Sequence, residues 1–312
     1  RALTLNHWLT QISEQELAGH PRLLLLRGQI LINDLAEPEA AASYFQRAEE
    51  QFCQQDNLIA AAEAKVWQSY SLWMMGQTTE ALTLVNRALE QFETLEADER
   101  LIAWAMRRRG SVHSRIGNLS EALRDSRRAL ELFKKLGDTY NVGQCHHEIG
   151  VILELQGNIS GAEHHYRQAL RIWETLGNSL DLVNALNSIA VCHFLTGKYS
   201  EALSWFNECL DLALQIGATR LVAFVQAGVG DVYLALQEYD RALEAYAVST
   251  EFVHRADVRW LEVYNLVKAG ECFFQQQNLS QALKLASQAK EMASEAALAS
   301  QKGAALSLQA KI

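Results

Sequence analysis

The sequence predicts an all-α fold, an array of about seven helical pairs with a 40-residue period. Three observations carry this. A short motif returns as GQTTEAL at 76, GNLSEAL at 117, GNISGAE at 157, GKYSEAL at 197, QEYDRAL at 237 and QNLSQAL at 277, spaced 41 residues once and 40 thereafter. Self-similarity at a fixed period marks a solenoid of stacked units. The only prolines are Pro21 and Pro38, so nothing rigidly interrupts a helix from residue 39 onward. Small residues also recur at fixed places in each unit, which lets antiparallel helices approach to about 8 Å.

Residues 3–31 read as a helix, a short break and a second helix starting near Pro21, a favourable first-turn residue. Forty residues before the motif at 76 stands AEPEAAA, a degenerate first copy. In the units that follow, the first helix carries a small residue seven places before the turn: Gly110, Gly150, Ala190, Gly230 and Gly270. The second helix opens with Ala41, Ala81, Ala122, Ala162, Ala202, Ala242 or Ala282. A second small residue comes seven places later, at Ala48, Ala88, Ala129, Ala169, Cys209, Ser249 and Ala289. Tyr166, Phe206 and Tyr246 fill the space between. Leu-Gly or Ile-Gly pairs end three second helices at Gly137, Gly177 and Gly217. The organisation expected is an N-terminal helix over 1–21, the array over 22–293, and the start of a further or capping helix, truncated, over 294–312. A chain that opens at Arg1 and stops within a helical pattern reads as part of a longer one.

The spacing of Gly, aromatic, Ala, aromatic and Ala resembles the tetratricopeptide repeat over residues 22–293. The closing proline of that repeat is missing, and the period exceeds its usual length of about 34 residues, so longer helices are expected. The resemblance implies a right-handed α-α superhelix whose first helices line a concave groove. The stretch over 3–31 is further similar to the opening of the repeat region in large ATP-dependent bacterial transcriptional regulators, the maltose-activator and LuxR-type family. The matching residues are Trp8, Leu9, Ile12, Leu17, Pro21, Leu23, Leu25, Arg27 and Gly28. That resemblance implies an NTPase module and a DNA-binding helix-turn-helix elsewhere in the parent protein.

Gly197-Lys198 invites a phosphate-loop reading, but GxxxxGK[ST] needs Gly where Cys192 stands and Ser or Thr where Tyr199 stands. Lys198 instead occupies a variable turn slot. QCHHE at 144 and EHHY at 163 do not set metal ligands four apart on one helix face, so no metal or cofactor is expected. His113 and His193 fall in a packing slot shared with Leu153, Tyr233 and Phe273. No nucleophile with a base is recognisable and no catalytic residue is expected. Five cysteines, odd in number and without a CxxC pair, fit a reducing cytoplasm. No apolar run is long enough to span a membrane. Net charge is −9. Residues 100–135 hold ten Lys or Arg against Glu121, Asp125 and Glu131. With an acidic remainder, direct nucleic-acid contact is not expected. The basic stretch suits an acidic partner surface or an acidic module of the parent protein, and self-association is a further expectation.

Counted from the small-residue marker of each first helix, groove-facing residues lie six and three before it and one and four after it. The strip that results contains Tyr70, Trp73, Trp104, Arg107, Ser111, Gln144, His147, Asn184 and Asn187, with Arg108 and Arg115 one place round the helix. Asn amides both donate and accept, which suits an extended peptide backbone. Arg107 and Arg108 are placed to clamp a carboxylate or phosphate, or to pair with acids of neighbouring helices. Trp104 is either inter-repeat packing or a platform. The function expected is binding of a protein, peptide or small-molecule effector. The chain is then the sensor of a transcriptional regulator or, alternatively, a freestanding adaptor or peptide receptor. Arg107→Glu and Asn187→Ala are expected to abolish binding without unfolding the array.

Overall fold

Among the described residues the helices run from 13 to 18 residues, and most of them end in the same left-handed turn. The computed structural model describes residues 12, 17, 19–33, 37–256, 258–296 and 298–312. The helix expected over 1–21, with the matches at Trp8 and Leu9, lies largely outside them. Among the described residues there are fifteen α-helices and no strand. No helix among them is long and apolar enough to cross a membrane.

The chain forms two compact units, Arg1–Gln156 and Gly157–Ile312. The first contains α1 (Pro21–Asn33), α2 (Pro38–Gln54), α3 (Leu58–Met74), α4 (Thr78–Thr94), α5 (Glu99–Arg115), α6 (Leu119–Lys135) and α7 (Thr139–Leu155). The second contains α8 (Ile159–Leu176), α9 (Ser179–Leu195), α10 (Tyr199–Gln215), α11 (Thr219–Ala235), α12 (Tyr239–Ala256), α13 (Arg259–Gln275), α14 (Leu279–Glu295) and α15 (Ala299–Lys311). The pairs α1/α2, α3/α4 and α5/α6 pack in the first unit, and α9/α10, α11/α12 and α13/α14 in the second. The last helix, α15, packs on both α13 and α14.

Both prolines sit at first helical positions, where the missing N–H has no intrahelical partner to lose. Asn57, Asp98, Asp138, Asn158, Asn178 and Asn278 cap the helices that follow them by accepting a backbone N–H. Termination is equally uniform. One or two residues past the helix end the backbone turns left-handed, as at Gly76, Gly117, Gly157 and Gly197, and two reverse hydrogen bonds close the last turn. At α9 these run from Gly197 N–H to Phe194 O, 3.0 Å, and from Lys198 N–H to His193 O, 2.9 Å. The Gly-Lys pair is therefore a helix stop, its N–H groups spent on the helix it ends.

Asp56, Glu96, Gln237 and Gln277 take the same positive φ, between 49° and 62°, without being glycine. A left-handed conformation costs an L-residue about 1–2 kcal/mol, partly offset because Gly loses more chain entropy on folding. Gln237→Gly is expected to stabilise the chain by about 0.5–1 kcal/mol. Adding Gln277→Gly, one repeat away, should contribute a similar increment. Urea unfolding of the single and double variants checks this.

The small residues do what their spacing implies. Ala41, Ala81, Ala122, Ala162, Ala202, Ala242 and Ala282 are all fully buried, as are Ala48, Ala88, Ala129, Ala169, Cys209, Ser249 and Ala289. Gly28 and Gly230 lie against an aromatic face. A Cβ added there would meet the Phe45 ring or the Tyr246 ring at 2.5 Å. At Gly110 the neighbours are Ser126 Oγ at 2.8 Å and the Ala122 carbonyl at 3.2 Å. Phe45, Tyr166, Phe206 and Tyr246, each four residues after the opening Ala, are buried to within 1%.

Candidate functional site

In each unit the first helices present a row of side chains at the positions six before, one after and four after the small-residue marker, half-buried except for the exposed Val151. The position three before it is deeper. It holds Val66, Arg107, Ala227 and Val267, none more than 5% exposed, while His147 and Asn187 in the same slot stay half-buried. This slot is where neighbouring first helices meet, so a charged residue there must find a partner.

In the first unit the row on α3 is aromatic. Tyr70 and Trp73, three residues apart on one face, stack with centroids 5.6 Å apart and planes 17° from parallel. Trp67 reaches Phe45 at 5.8 Å, Tyr70 at 6.3 Å and Trp104 at 4.9 Å. Trp104 is thereby engaged in packing between α3 and α5. From α5, the Arg108 guanidinium lies 3.9 Å from the centroid of the Tyr70 ring and that of Arg115 lies 5.3 Å from the Trp73 ring. The Trp73 indole N–H donates to the Ser111 carbonyl, 3.2 Å, fixing the ladder against α5.

The three consecutive arginines go to three destinations. Arg107 is 5% exposed and its Nη1 donates to Glu148 Oε1 on α7 at 2.7 Å. Its Nε and the second Glu148 oxygen, both buried, have no partner. Arg109 turns the other way, donating to both oxygens of Asp125 on α6 at 2.6 and 2.9 Å and to Asn86 on α4 at 3.2 Å. Arg108 is half-buried and has neither an ion pair nor a hydrogen bond among the described residues. Burial, with the Arg107 charge beside it, lowers the Arg108 guanidinium to about 10. On α7, Gln144 donates to the Tyr140 phenol at 2.9 Å. Burial holds the His147 imidazole down at about 4, so it is uncharged at neutral pH.

In the second unit Asn184 and Asn187 stand half-buried on α9, and neither side-chain amide has a hydrogen-bond partner among the described residues. Further along, Asp231 on α11 accepts from the Tyr246 phenol, 2.8 Å, and the Tyr264 phenol, 2.7 Å. Burial pushes the Asp231 carboxyl up, against the pull of these two donors. His193 is 7% exposed and stacks on Trp205 with centroids 6.4 Å apart, a packing residue.

The structure thus joins Tyr70, Trp73, Arg108, Ser111 and Arg115 into one contact set, with Trp104 beside it through Trp67. Arg107 is tied to Glu148. Gln144 and His147 lie on α7, and Asn184 and Asn187 belong to the second unit. Two participants escaped sequence reasoning. Trp67 lies outside the counted slots, although its place three before Tyr70 on one helix face was readable. Glu148 stands 41 residues after Arg107, one period plus one, and that offset was the signal for the ion pair.

A family model for the tetratricopeptide repeat matches residues 61–135, 102–175, 141–215 and 181–253, together more than half of the chain. No curated protein matches it. Among solved structures, a Rap protein complexed with Competence and Sporulation Factor superposes with a TM-score of 0.73 at 19% identity, over 94% of this chain and 80% of that one. NprR in complex with its cognate peptide NprX gives 0.65 at 16% identity, over 92% and 84%. A Signal Transduction ATPase with Numerous Domains from Pyrococcus horikoshii, carrying a tetratricopeptide repeat sensor, gives 0.69 at 16% identity, over 96% of this chain and 46% of that one. At these identities the likeness is one of fold.

Proposed function

This chain belongs to the tetratricopeptide-repeat family, and on that premise we propose that it is the sensor and interaction segment of a multidomain bacterial transcriptional regulator. A peptide or protein segment is held on the first-helix faces. The observation that carries this reading is the set of side chains there that the fold does not use. The side chains of Arg108, Asn184 and Asn187 have no hydrogen-bond partner among the described residues, and Tyr70 and Trp73 form a fixed aromatic surface beside Arg108. Binding changes the parent protein's state only through unequal affinity for two of its conformations. The similarity to the Pyrococcus protein, of which this chain spans 46%, supports a place within a larger signalling ATPase. The reading places the protein in the cytoplasm, where five free cysteines, four of them buried, stay reduced.

A second reading, a freestanding peptide receptor, is favoured by one specific finding: two structures of like fold are peptide or factor complexes. Both readings share the binding face. They part on gene structure, since a phosphate loop and a helix-turn-helix in the same reading frame belong only to the first.

The face itself is tested by panning a random-peptide library against the chain and measuring the selected peptide by fluorescence anisotropy. Each amide that pairs with a peptide backbone contributes about 0.5–1.5 kcal/mol net, and an aromatic contact a comparable amount. Tyr70→Ala should weaken a peptide held on the first unit, and Asn187→Ala one held on the second, by about threefold to tenfold. Unchanged affinity in both variants would move the site off these faces.

A further inference from the structure

We propose that one copy of this chain docks the basic face of its α6 onto the acidic face of α10 in a second copy, with the two helices antiparallel. The second helices of their pairs carry this contact, so none of the first-helix side chains described above takes part.

Both helices are 17 residues long, and on each the exposed charges without a partner are of one sign. On α6, Arg124, Arg127 and Lys134 are exposed and have no ion pair among the described residues. Its other two cations are taken, Arg128 by Glu131 at 3.0 Å and Lys135 by Glu99 at 2.7 Å. No Lys or Arg occurs on α10. Its Glu201, Glu208 and Asp211 are exposed and likewise have no ion pair among the described residues.

The spacings match in reverse. The three cations step by three and then seven residues along α6, and the three carboxylates by seven and then three along α10. These steps are about 4.5 Å and about 10.5 Å, and each set keeps to about 80° of its helix. An antiparallel alignment therefore sets Arg124 against Asp211, Arg127 against Glu208 and Lys134 against Glu201. It leaves Arg128 and Glu131 opposite the uncharged Asn207 and Ser204. A parallel alignment would serve only Arg124 and Lys134, and it would set Glu131 against Glu208, a like-charge contact.

The repeat does not impose this pattern. The places of the α6 triad hold Thr83, Asn86 and Glu93 in α4 and His164, Arg167 and Glu174 in α8. Those of the α10 triad hold Arg241, Val248 and Glu251 in α12. Among the described second helices, only α6 has all three cations and only α10 all three carboxylates.

Apolar surface lies beside the carboxylates. A cleft of about 280 Å³ opens between α8, α9 and α10 next to Glu208 and Asp211, with Leu182, Leu186 and Leu212 in its lining. Leu214, three residues past Asp211, is 52% exposed. Arginine stems lie along apolar surface while their heads stay with charge and water, so Arg124 and Arg127 cover these leucines as they reach Asp211 and Glu208. Exposed ion pairs add little affinity singly and more selectivity together. The contact is accordingly weak, reversible and, since the two surfaces differ, heterologous.

Sedimentation velocity of the full chain over a range of concentrations, at low and at high salt, tests this. The parent is expected to self-associate at low salt and to lose that at high salt, as screening shortens the reach of the charges. One variant combines Arg124→Glu, Arg127→Glu and Lys134→Glu; the other combines Glu201→Lys, Glu208→Lys and Asp211→Lys. Each should weaken self-association by about tenfold or more, with an unchanged circular dichroism melt because all six side chains are exposed. An equimolar mixture of the two should associate again, since each reversed face then meets its complement. Should a triple variant lose its helical signal, Arg127→Glu and Glu208→Lys give the same comparison with one charge on each side. A parent that stays monomeric at every concentration overturns the proposal and leaves the acidic face to a foreign basic segment. Association at parent strength in either variant, or a mixture that stays monomeric, overturns it as well.

Discussion

Arg107→Glu is expected to destabilise the protein by about 3–5 kcal/mol, toward the lower end because Glu148 retains 21% exposure of its side chain. The reason is the ion pair between α5 and α7. Arg107 is buried to 5%, and reversal of its charge sets two carboxylates against each other where one was satisfied. Sequence reasoning anticipated that this variant would abolish ligand binding and leave the array folded. The structure gives it a different meaning, since loss of binding in Arg107→Glu would follow from loss of the helix contact. Urea unfolding followed by circular dichroism measures the effect. Pairing Arg107→Glu with Glu148→Arg should recover part of it, because the swapped pair restores opposite charges at the same contact. Arg108→Met, one residue away, should stay within about 1 kcal/mol of the parent, the lost aromatic contact offsetting the removal of an unpaired, half-buried charge.

Gly230→Leu is expected to cost about 3 kcal/mol, the upper part of the range for overpacking. A Cβ at this position meets the Tyr246 ring at 2.5, 2.7 and 2.8 Å. The ring has nowhere to go. It is 1% exposed, and its hydroxyl is held by Asp231, one residue after the glycine. The substitution therefore separates α11 from α12, or breaks the Tyr246–Asp231 hydrogen bond, or both. Gly303→Leu is the control, since nothing lies within 4 Å of a Cβ there and Leu favours a helix over Gly; a comparable loss at both sites would show that packing against Tyr246 does not set the cost.

What the sequence revealed and what it concealed divide along the range of the interactions. The helical pairs, their period and the buried alanines were legible because they repeat, and a repeat averages out the ambiguity of any single segment. Gly197-Lys198 could be read as a helix stop from its neighbours at 157 and 237 alone. Gln237 and Gln277 show how far that logic extends, since they take the left-handed turn position that glycine holds elsewhere. Contacts between successive first helices were harder. They depend on which rotamer a long side chain adopts, and Arg107, Arg108 and Arg109 look alike in sequence while one pairs across to α7, one lies on Tyr70 and one returns to its own pair. Trp104 likewise follows from Trp67, whose ring it meets at 4.9 Å, and not from its own slot.

The claim that these first-helix faces receive the ligand is tested most directly by amide hydrogen exchange on the full chain, with and without the library-selected peptide. Slowed exchange concentrated in α3 and α5 of the first unit, or in α9 of the second, with the second helices of the same pairs unchanged, is the result predicted. Protection concentrated in α4, α6 and α10 would contradict it and place the ligand on the opposite faces of the pairs.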